Sequence, residues 1–290
     1  MLQVQQPSTN HRASLEEAIR RVTELRPFPE TASRLLSACQ SEASSSQMIA
    51  EIVKHDPGVA ARLLRIANSS MYGQAGRVRT IEQAIVLLGL RCVSDIAVAI
   101  AGQDLMNHGE TSVAERRILW KHSLACAVVA RTVAAVATDV RPEEAFLAGI
   151  FHDIGKLLFY DIVPDDYSQA VADVSLDDLL ESERTTFGMT HESVGACCAR
   201  QWGLSSAVRS AIGFHHRPEQ STDDSPLVLV TAAANALAHE WQLGCPASGQ
   251  APTNLETWTS SLGLCDDDLA TAADRATAEF EEALEVCTLS

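Results

Sequence analysis

The chain has 290 residues, of which 46% are hydrophobic, so it can form one or two domains with a substantial buried core. Its formal net charge of -16 at pH 7 disfavours sequence-independent nucleic-acid binding, which would need a local basic patch. The first ten residues lack the apolar core of a signal peptide, and no apolar run reaches the roughly 20 residues that cross a bilayer, so we expect a globular cytoplasmic protein without a membrane segment.

Apolar residues recur with helical spacing along nearly the whole chain, which predicts an all-α fold. Ser14 and Glu17 form a capping-box pattern ahead of a predicted helix at residues 15–25. Further helices are predicted at residues 30–41, 47–54, 57–67 and 80–88. Together these segments predict an N-terminal helical subdomain over residues 14–110.

A second helical subdomain, with the C-terminal helices, is predicted over residues 111–290. Its helices are expected at residues 112–137, 142–152, 177–185, 190–202, 205–214, 226–241 and 266–286. Gly155 offers the flexible residue expected just after a helix end, which places His152 and Asp153 at a helix terminus. Residues 242–253 are rich in Gly, Pro and Ser and are predicted to form a loop.

The eight cysteines form no CxxC motif, and most of them lie in helical patterns. A reduced cysteine in such a pattern behaves as a small hydrophobic residue, so core packing is the expected role. The adjacent pair Cys197 and Cys198 could be redox-active, although no neighbouring motif supports this.

The dipeptide His152-Asp153 places two metal-capable side chains at the end of an apolar run. Burying both is unfavourable unless hydrogen bonds or a metal compensate them. Further potential ligands are His122, His191 and the pair His215 and His216. Nitrogen and oxygen donors in this mixture suit divalent ions such as Mn, Fe, Co, Ni or Zn, which can activate water for hydrolysis.

Each of these histidines also has a purely structural interpretation. His122 shares a helical stripe with apolar residues, including Cys126, and could be a hydrogen-bonded core residue. His191 follows the predicted N-cap Thr190, and His215 lies at a helix end where the dipole stabilises an imidazolium. The order of the motifs, H then HD then H then HH, favours a shared site over these separate explanations.

Motifs spread over most of the chain occur in the same order as in a known family. They lie at residues 25–29, 55–69, 81–89, 120–123, 152–153, 187–195, 201–204 and 215–218. The run that begins His55-Asp56-Pro57-Gly58 is the most specific of them. In these motifs the chain resembles the HDOD domain family, a regulatory relative of the HD and HD-GYP metal-dependent phosphohydrolases. The resemblance implies one HDOD unit, in which an N-terminal helical subdomain precedes an HD-domain-like helical bundle.

The resemblance also implies a metal-ligand set. Its members are His122, His152 and Asp153, with His191, His215 and His216 matching the additional histidines of the two-metal HD-GYP type. Asn235 stands where the enzymes carry a final aspartate ligand, and a neutral amide binds cations more weakly than a carboxylate. The connection Gly188-Met189-Thr190 has no GYP motif, which argues against hydrolysis of cyclic-di-GMP. We expect one or two ions of Fe, Mn, Ni or Zn, or none.

Two functions of different class follow from this pattern. The favoured one is a non-catalytic or weakly active signal-transduction module that acts through signalling proteins, such as a sensor kinase, a receiver or a component of a cyclic-dinucleotide system. The alternative is a metal-dependent phosphohydrolase acting on a nucleotide or cyclic dinucleotide, with Lys156 as the candidate catalytic residue that steadies the phosphate charge. Lys156 could equally be a helix-end cation that faces solvent. Nucleic-acid binding through Arg62, Arg65, Arg77 and Arg79 is disfavoured by the net charge of -16.

Overall fold

The computed structural model describes residue 17 and residues 30–40, 45–68, 78–107, 113–137, 139–172, 174–175, 178–223, 225–244 and 254–288. Regular secondary structure in these ranges is entirely helical, which confirms the all-α fold class. The predicted helix at residues 15–25 lies outside the described residues apart from Glu17, and so does most of the predicted loop at residues 242–253. The chain divides into two compact units, which are described separately.

One unit comprises the described residues within Phe28–His108 and Ala278–Ser290. Its helices are α1 (Glu30–Gln40), α2 (Ser46–Lys54), α3 (Pro57–Ala67), α4 (Ile81–Leu88) and α5 (Leu90–Asn107). The sequence did not predict α5, because Gly89 was interpreted as the end of a helical segment. Gly89 adopts a φ of 86°, which turns the chain sharply enough for α5 to begin at the next residue.

This unit carries the arginines considered for nucleic-acid binding. Arg62 of α3 donates to Asp104 of α5 at 2.7 Å, so its charge is compensated within the fold. Arg77 lies outside the described residues. One arginine of this candidate basic patch is therefore paired with a carboxylate.

The other unit comprises the described residues within Met1–Pro27 and Gly109–Thr277. Its helices are α6 (Val113–Ala137), α7 (Pro142–Phe151), α8 (Ile154–Ile162), α9 (Pro164–Val171), α10 (Leu179–Phe187), α11 (His191–Gln201), α12 (Ser206–Phe214), α13 (Pro226–Glu240) and α14 (Leu255–Ser261), and α15 (Asp266–Thr288) begins in it. Helix α7 packs along α6, and α13 packs against both. The candidate metal ligands all lie in this unit: His122, His152, Asp153, His191, His215 and His216.

Gly155 was predicted to lie just after a helix end. It lies instead in the first turn of the next helix, α8. A Cβ atom at this position would overlap the carbonyl oxygen of His191 and lie 2.7 Å from its carbonyl carbon. The glycine therefore permits close contact between α8 and α11. The sequence missed α8 because only two residues separate it from α7 and the apolar run continues across them.

Helix α6 is the one described helix that is long and apolar enough to cross a membrane by length and composition. The window at Ala114–Val136 passes this test. By length and composition alone, one helix therefore departs from the expectation that no apolar segment is long enough to cross a bilayer. Within the structure, 78% of that window is buried, as in the core helix of a globular protein. Leu124 and Val129, near its middle, are both fully buried.

Candidate metal centre

The junction between α7 and α8 positions the HD dipeptide. Helix α7 ends at Phe151, His152 is its C-cap and Asp153 is the N-cap of α8, as the helix-terminus prediction required. Gly149 lies one turn before the junction, and a Cβ there would be 2.6 Å from the Cα of Ala127 in α6. The absence of a side chain lets the two helices meet closely and brings the dipeptide to the part of α6 that carries His122.

Asp153 lies at the centre of the histidine cluster and is buried. Its Oδ2 atom is 3.3 Å from Nε2 of His152 and 3.6 Å from Nε2 of His122. Its Oδ1 atom is 3.4 Å from Nε2 of His191 and 3.6 Å from Nε2 of His215. One carboxylate therefore joins histidines from four separate segments of the chain.

The potential ligand atoms form two groups, each with its members within 4.8 Å of one another. The first group is Asp153, His191, His215 and His216, and the second is His122, Cys126 and His152. All six predicted ligands are thus brought together, and Cys126 joins them. Among the described residues, Nε2 of His152, Nε2 of His216 and Oδ1 of Asp153 are buried and find no hydrogen-bond partner. Such atoms are costly to leave unsatisfied, so this donor set fits a divalent metal.

Hydrogen bonds on the outer side of the cluster orient three of the imidazole rings. Nδ1 of His152 lies 2.7 Å from the carbonyl oxygen of Gly149, and Nδ1 of His215 lies 2.9 Å from that of Ile212. Nδ1 of His191 lies 2.8 Å from the carboxylate of Glu183. A ring that donates from Nδ1 presents an unprotonated Nε2 to the cluster, which is the form that binds a metal.

The sequence analysis did not identify Glu183, which has no exposed surface. Its carboxylate accepts hydrogen bonds from the hydroxyl of Tyr167 at 2.7 Å and from the backbone N–H of His191 at 2.8 Å. Burial acts to raise the pKa of Glu183, but the electrostatic interaction with His191 and the hydrogen bonds from its ring and backbone outweigh it and lower that pKa. Glu183 is therefore an ionised carboxylate that fixes the position of His191.

We expect Glu183→Gln to weaken metal binding by about 10- to 100-fold, the usual effect of removing a partner that orients a ligand. The amide keeps the shape of the side chain but has only one oxygen to serve three donors. Glu181→Gln is the matched control, because Glu181 is an exposed residue of the same helix. Affinity is measured by competition with a chromophoric chelator, and equal affinities for the two variants would contradict this role.

A second buried carboxylate, Glu192, holds the His215-His216 pair. It accepts from the backbone N–H of His216 at 3.0 Å and from the guanidinium of Arg217 at 2.6 Å. The pair follows the end of α12, so these bonds fix a segment that no helix stabilises. The sequence offered no signal for this role beyond the position of Glu192 next to His191.

Burial affects the charge of several members of the cluster. Burial lowers the pKa of His122 and of His216 well below the usual range. Burial also acts to raise the pKa of Asp153, but electrostatic interactions with His152 and Lys156 outweigh this and hold it well below its usual value. Both effects favour the protonation states that bind metal ions.

Lys156 points into the cluster and not into solvent. Its Nζ lies 2.8 Å from Oδ2 of Asp153, and its side chain is 18% exposed. Burial acts to lower the pKa of Lys156, but the Asp153 carboxylate more than offsets this and raises it. The lysine therefore carries a positive charge beside the carboxylate.

Two residues of α13 complete the surroundings. Asn235 is buried, and its Oδ1 lies 3.8 Å from Sγ of Cys126. The ring centroid of His239, one turn later, lies 4.8 Å from that of His122 with the ring planes tilted by 43°, and burial lowers the pKa of His239 to about 4. Sequence analysis missed His239, although its spacing of four residues from Asn235 places both on one helix face.

The HDOD domain family model matches residues 25–218 of the chain, which confirms the resemblance found in the motifs. An uncharacterized protein of Treponema pallidum (strain Nichols) is 23% identical over 241 residues, or 81% of this chain. The chain spans only 45% of the length of that relative.

Three solved structures share the fold. An HDOD domain protein of unknown function from Geobacter sulfurreducens is 24% identical, with a TM-score of 0.74 over 94% of this chain and 97% of its own. A candidate phosphohydrolase from Shewanella amazonensis SB2B is 26% identical, with a TM-score of 0.69 over 93% of this chain and 96% of its own. A candidate signal transduction protein from Marinobacter aquaeolei VT8 is 23% identical, with a TM-score of 0.74 over 97% of this chain and 68% of its own.

Proposed function

Because this chain belongs to the HDOD domain family, we propose that it is a regulatory signalling module with little or no hydrolytic activity, acting through signalling proteins. The observation that carries this proposal is Asn235, a buried neutral amide at the position where the resemblance implies that the related enzymes carry an aspartate ligand. The histidine cluster is then a structural core that can hold a metal, and the output of the module is a contact with a partner.

The balance of charge supports the proposal. Asp153 is the only carboxylate in either ligand group of the described chain, and Lys156 already neutralises it at 2.8 Å. Two divalent ions would bring four positive charges to neutral imidazoles and this single carboxylate. Buried charges need compensation, so a fully loaded two-metal site is disfavoured.

A metal bound by the Asp153 cluster would supply Lewis-acid polarisation of an oxygen atom. The residues of the chain hold and orient the ligands. Asp153 joins the two ligand groups, and Glu183 and Glu192 orient His191 and the pair His215-His216 from outside. These hydrogen bonds would stabilise a purely structural core as well as a catalytic site.

Metal binding and turnover together test the proposal. We expect the Mn-, Fe-, Ni- or Zn-loaded wild type to give no turnover of phosphomonoesters, nucleotides or cyclic dinucleotides. Asn235→Asp is expected to raise the affinity for Mn²⁺ by about tenfold or more, because Mn²⁺ prefers carboxylate oxygen. Asn254→Asp, at an exposed position, is the control. Turnover by the wild type that is lost in His152→Ala would overturn the regulatory proposal.

The second candidate function is a metal-dependent phosphohydrolase. The inward position of Lys156 favours it, because an ammonium beside the ligands could also contact a phosphate. The candidate phosphohydrolase from Shewanella amazonensis SB2B, at 26% identity, is consistent with this alternative. For such an enzyme, the same substrate panel would show turnover, and Lys156→Met would remove it while leaving the metal content unchanged.

A further inference from the structure

The second ligand group contains a donor that the HD pattern does not include. Cys126 lies one turn after His122 on α6, and its Sγ is 3.6 Å from Nε2 and 3.8 Å from Nδ1 of that histidine. His152 reaches the same place from the end of α7. Two imidazoles and a thiol, from helices packed directly against each other, therefore converge on one point.

We propose that Cys126 is a thiolate metal ligand that supplies the negative charge missing at Asn235. The inference rests on the proposed function and deepens it, because it defines the metal that a regulatory module with this core would retain. The ligands are Sγ of Cys126 and Nε2 of His122 and His152, with Asp153 at the edge of the group.

The position of Asn235 explains why the charge would come from Cys126. Its Oδ1 lies 3.8 Å from Sγ, so the sulfur and the amide occupy the same side of the site. A carboxylate at this point would oppose deprotonation of the sulfur, because two adjacent negative charges repel each other, and it would favour Mn²⁺ over metals that bind thiolate. An amide removes that repulsion and leaves one anionic donor beside the two histidines.

Core packing alone does not account for the surroundings of Cys126. Its side chain is 1% exposed, yet it faces the imidazole of His122 and the amide of Asn235 in addition to apolar groups. Nε2 of His152, in the same group, is buried and has no hydrogen-bond partner among the described residues. A shared metal would satisfy this nitrogen and would bind the sulfur in place of the thiol's hydrogen bond to Asn235.

The donor set determines the class of metal. Thiolate with imidazole selects Zn²⁺, Fe²⁺ or Co²⁺ over Mn²⁺ and Mg²⁺, which prefer oxygen. The group Asp153, His191, His215 and His216 keeps the nitrogen and oxygen character of the HD pattern. The two groups therefore differ in the metal that each would prefer, and a single ion with a sulfur ligand would occupy the second group.

Cobalt spectroscopy on the full chain tests the thiolate directly. Metal-free protein titrated with Co²⁺ is expected to develop a near-ultraviolet thiolate-to-cobalt charge-transfer band. Cys126→Ser should abolish this band and lower Zn²⁺ affinity by at least about tenfold. Cys197→Ser is the control, because Cys197 lies outside both ligand groups and should leave the band unchanged.

A measurement on the wild type alone makes the test independent of how the variants fold. X-ray absorption of the zinc-loaded protein should show a sulfur neighbour at about 2.3 Å. Absence of sulfur from the zinc shell, absence of the charge-transfer band, or failure of Co²⁺ to bind would each overturn the assignment. If the bound cobalt has only nitrogen and oxygen ligands, the assignment of Cys126 fails but the proposed regulatory function does not. If the protein turns over phosphoesters, the regulatory function fails but the assignment of Cys126 as a ligand does not.

Discussion

Asp153→Asn is expected to remove metal from both ligand groups while leaving the helices in place. The carboxylate contacts His122 and His152 through one oxygen and His191 and His215 through the other. An amide presents an NH₂ group at one of these two positions and has no charge. The affinity should fall by more than about 100-fold, beyond the usual effect of losing a residue that only orients a ligand.

Elemental analysis of untagged protein is the measurement, made on wild type, Asp153→Asn and His152→Ala side by side. Asp165→Asn is the control, because it makes the same chemical change at an exposed position in α9. Near-stoichiometric metal in wild type and Asp165→Asn, and none in the other two, is the expected pattern. Metal retained by Asp153→Asn would mean that the histidines alone hold it and that the carboxylate has another role.

The same substitution has a consequence in metal-free protein. Lys156 loses the carboxylate that lies 2.8 Å from its Nζ, so a largely buried ammonium is left without its counter-ion. Removing one partner of a buried ion pair costs about 3–5 kcal/mol, less here because the lysine is 18% exposed. Circular dichroism melts of the metal-free proteins separate this loss of stability from the loss of metal.

The HD dipeptide shows how much of the site the sequence could predict. Its position at the end of α7 was predicted from the sequence, although α8 beyond it was not, and the bounds of α3, Pro57–Ala67, matched the prediction. Convergence of the histidines followed from the order of the motifs. These features could be predicted because they depend on the spacing of residue types along the chain.

Cys126, Glu183 and His239 show what the sequence could not predict. Cys126 falls on an apolar helical stripe, so its spacing fits a core residue as well as a ligand. Glu183 acts through a contact with a histidine eight residues later, after a turn between two helices. Three-dimensional packing decides which face of a helix contacts which neighbour. The periodicity of residues along one helix does not reveal this contact.

Gly155→Ala is expected to be the most destabilising single-methyl substitution in the unit that carries the histidine cluster. The added Cβ would overlap the carbonyl oxygen of His191, and the atoms it meets are backbone, which cannot rotate away. Either α8 or the start of α11 must move, and those segments carry Asp153 and His191. Overpacking of this kind costs about 3 kcal/mol or more.

Chemical denaturation and metal content, measured on the same preparations, test this expectation. Gly58→Ala is the matched control, because a Cβ in α3 would meet its nearest atom at 3.4 Å and alanine favours a helix over glycine by about 1 kcal/mol. We expect Gly58→Ala to equal or exceed wild type in stability and Gly155→Ala to lose both stability and metal. Wild-type values for Gly155→Ala would contradict the close contact between α8 and α11, and the position of His191 beside Asp153 would then need another cause.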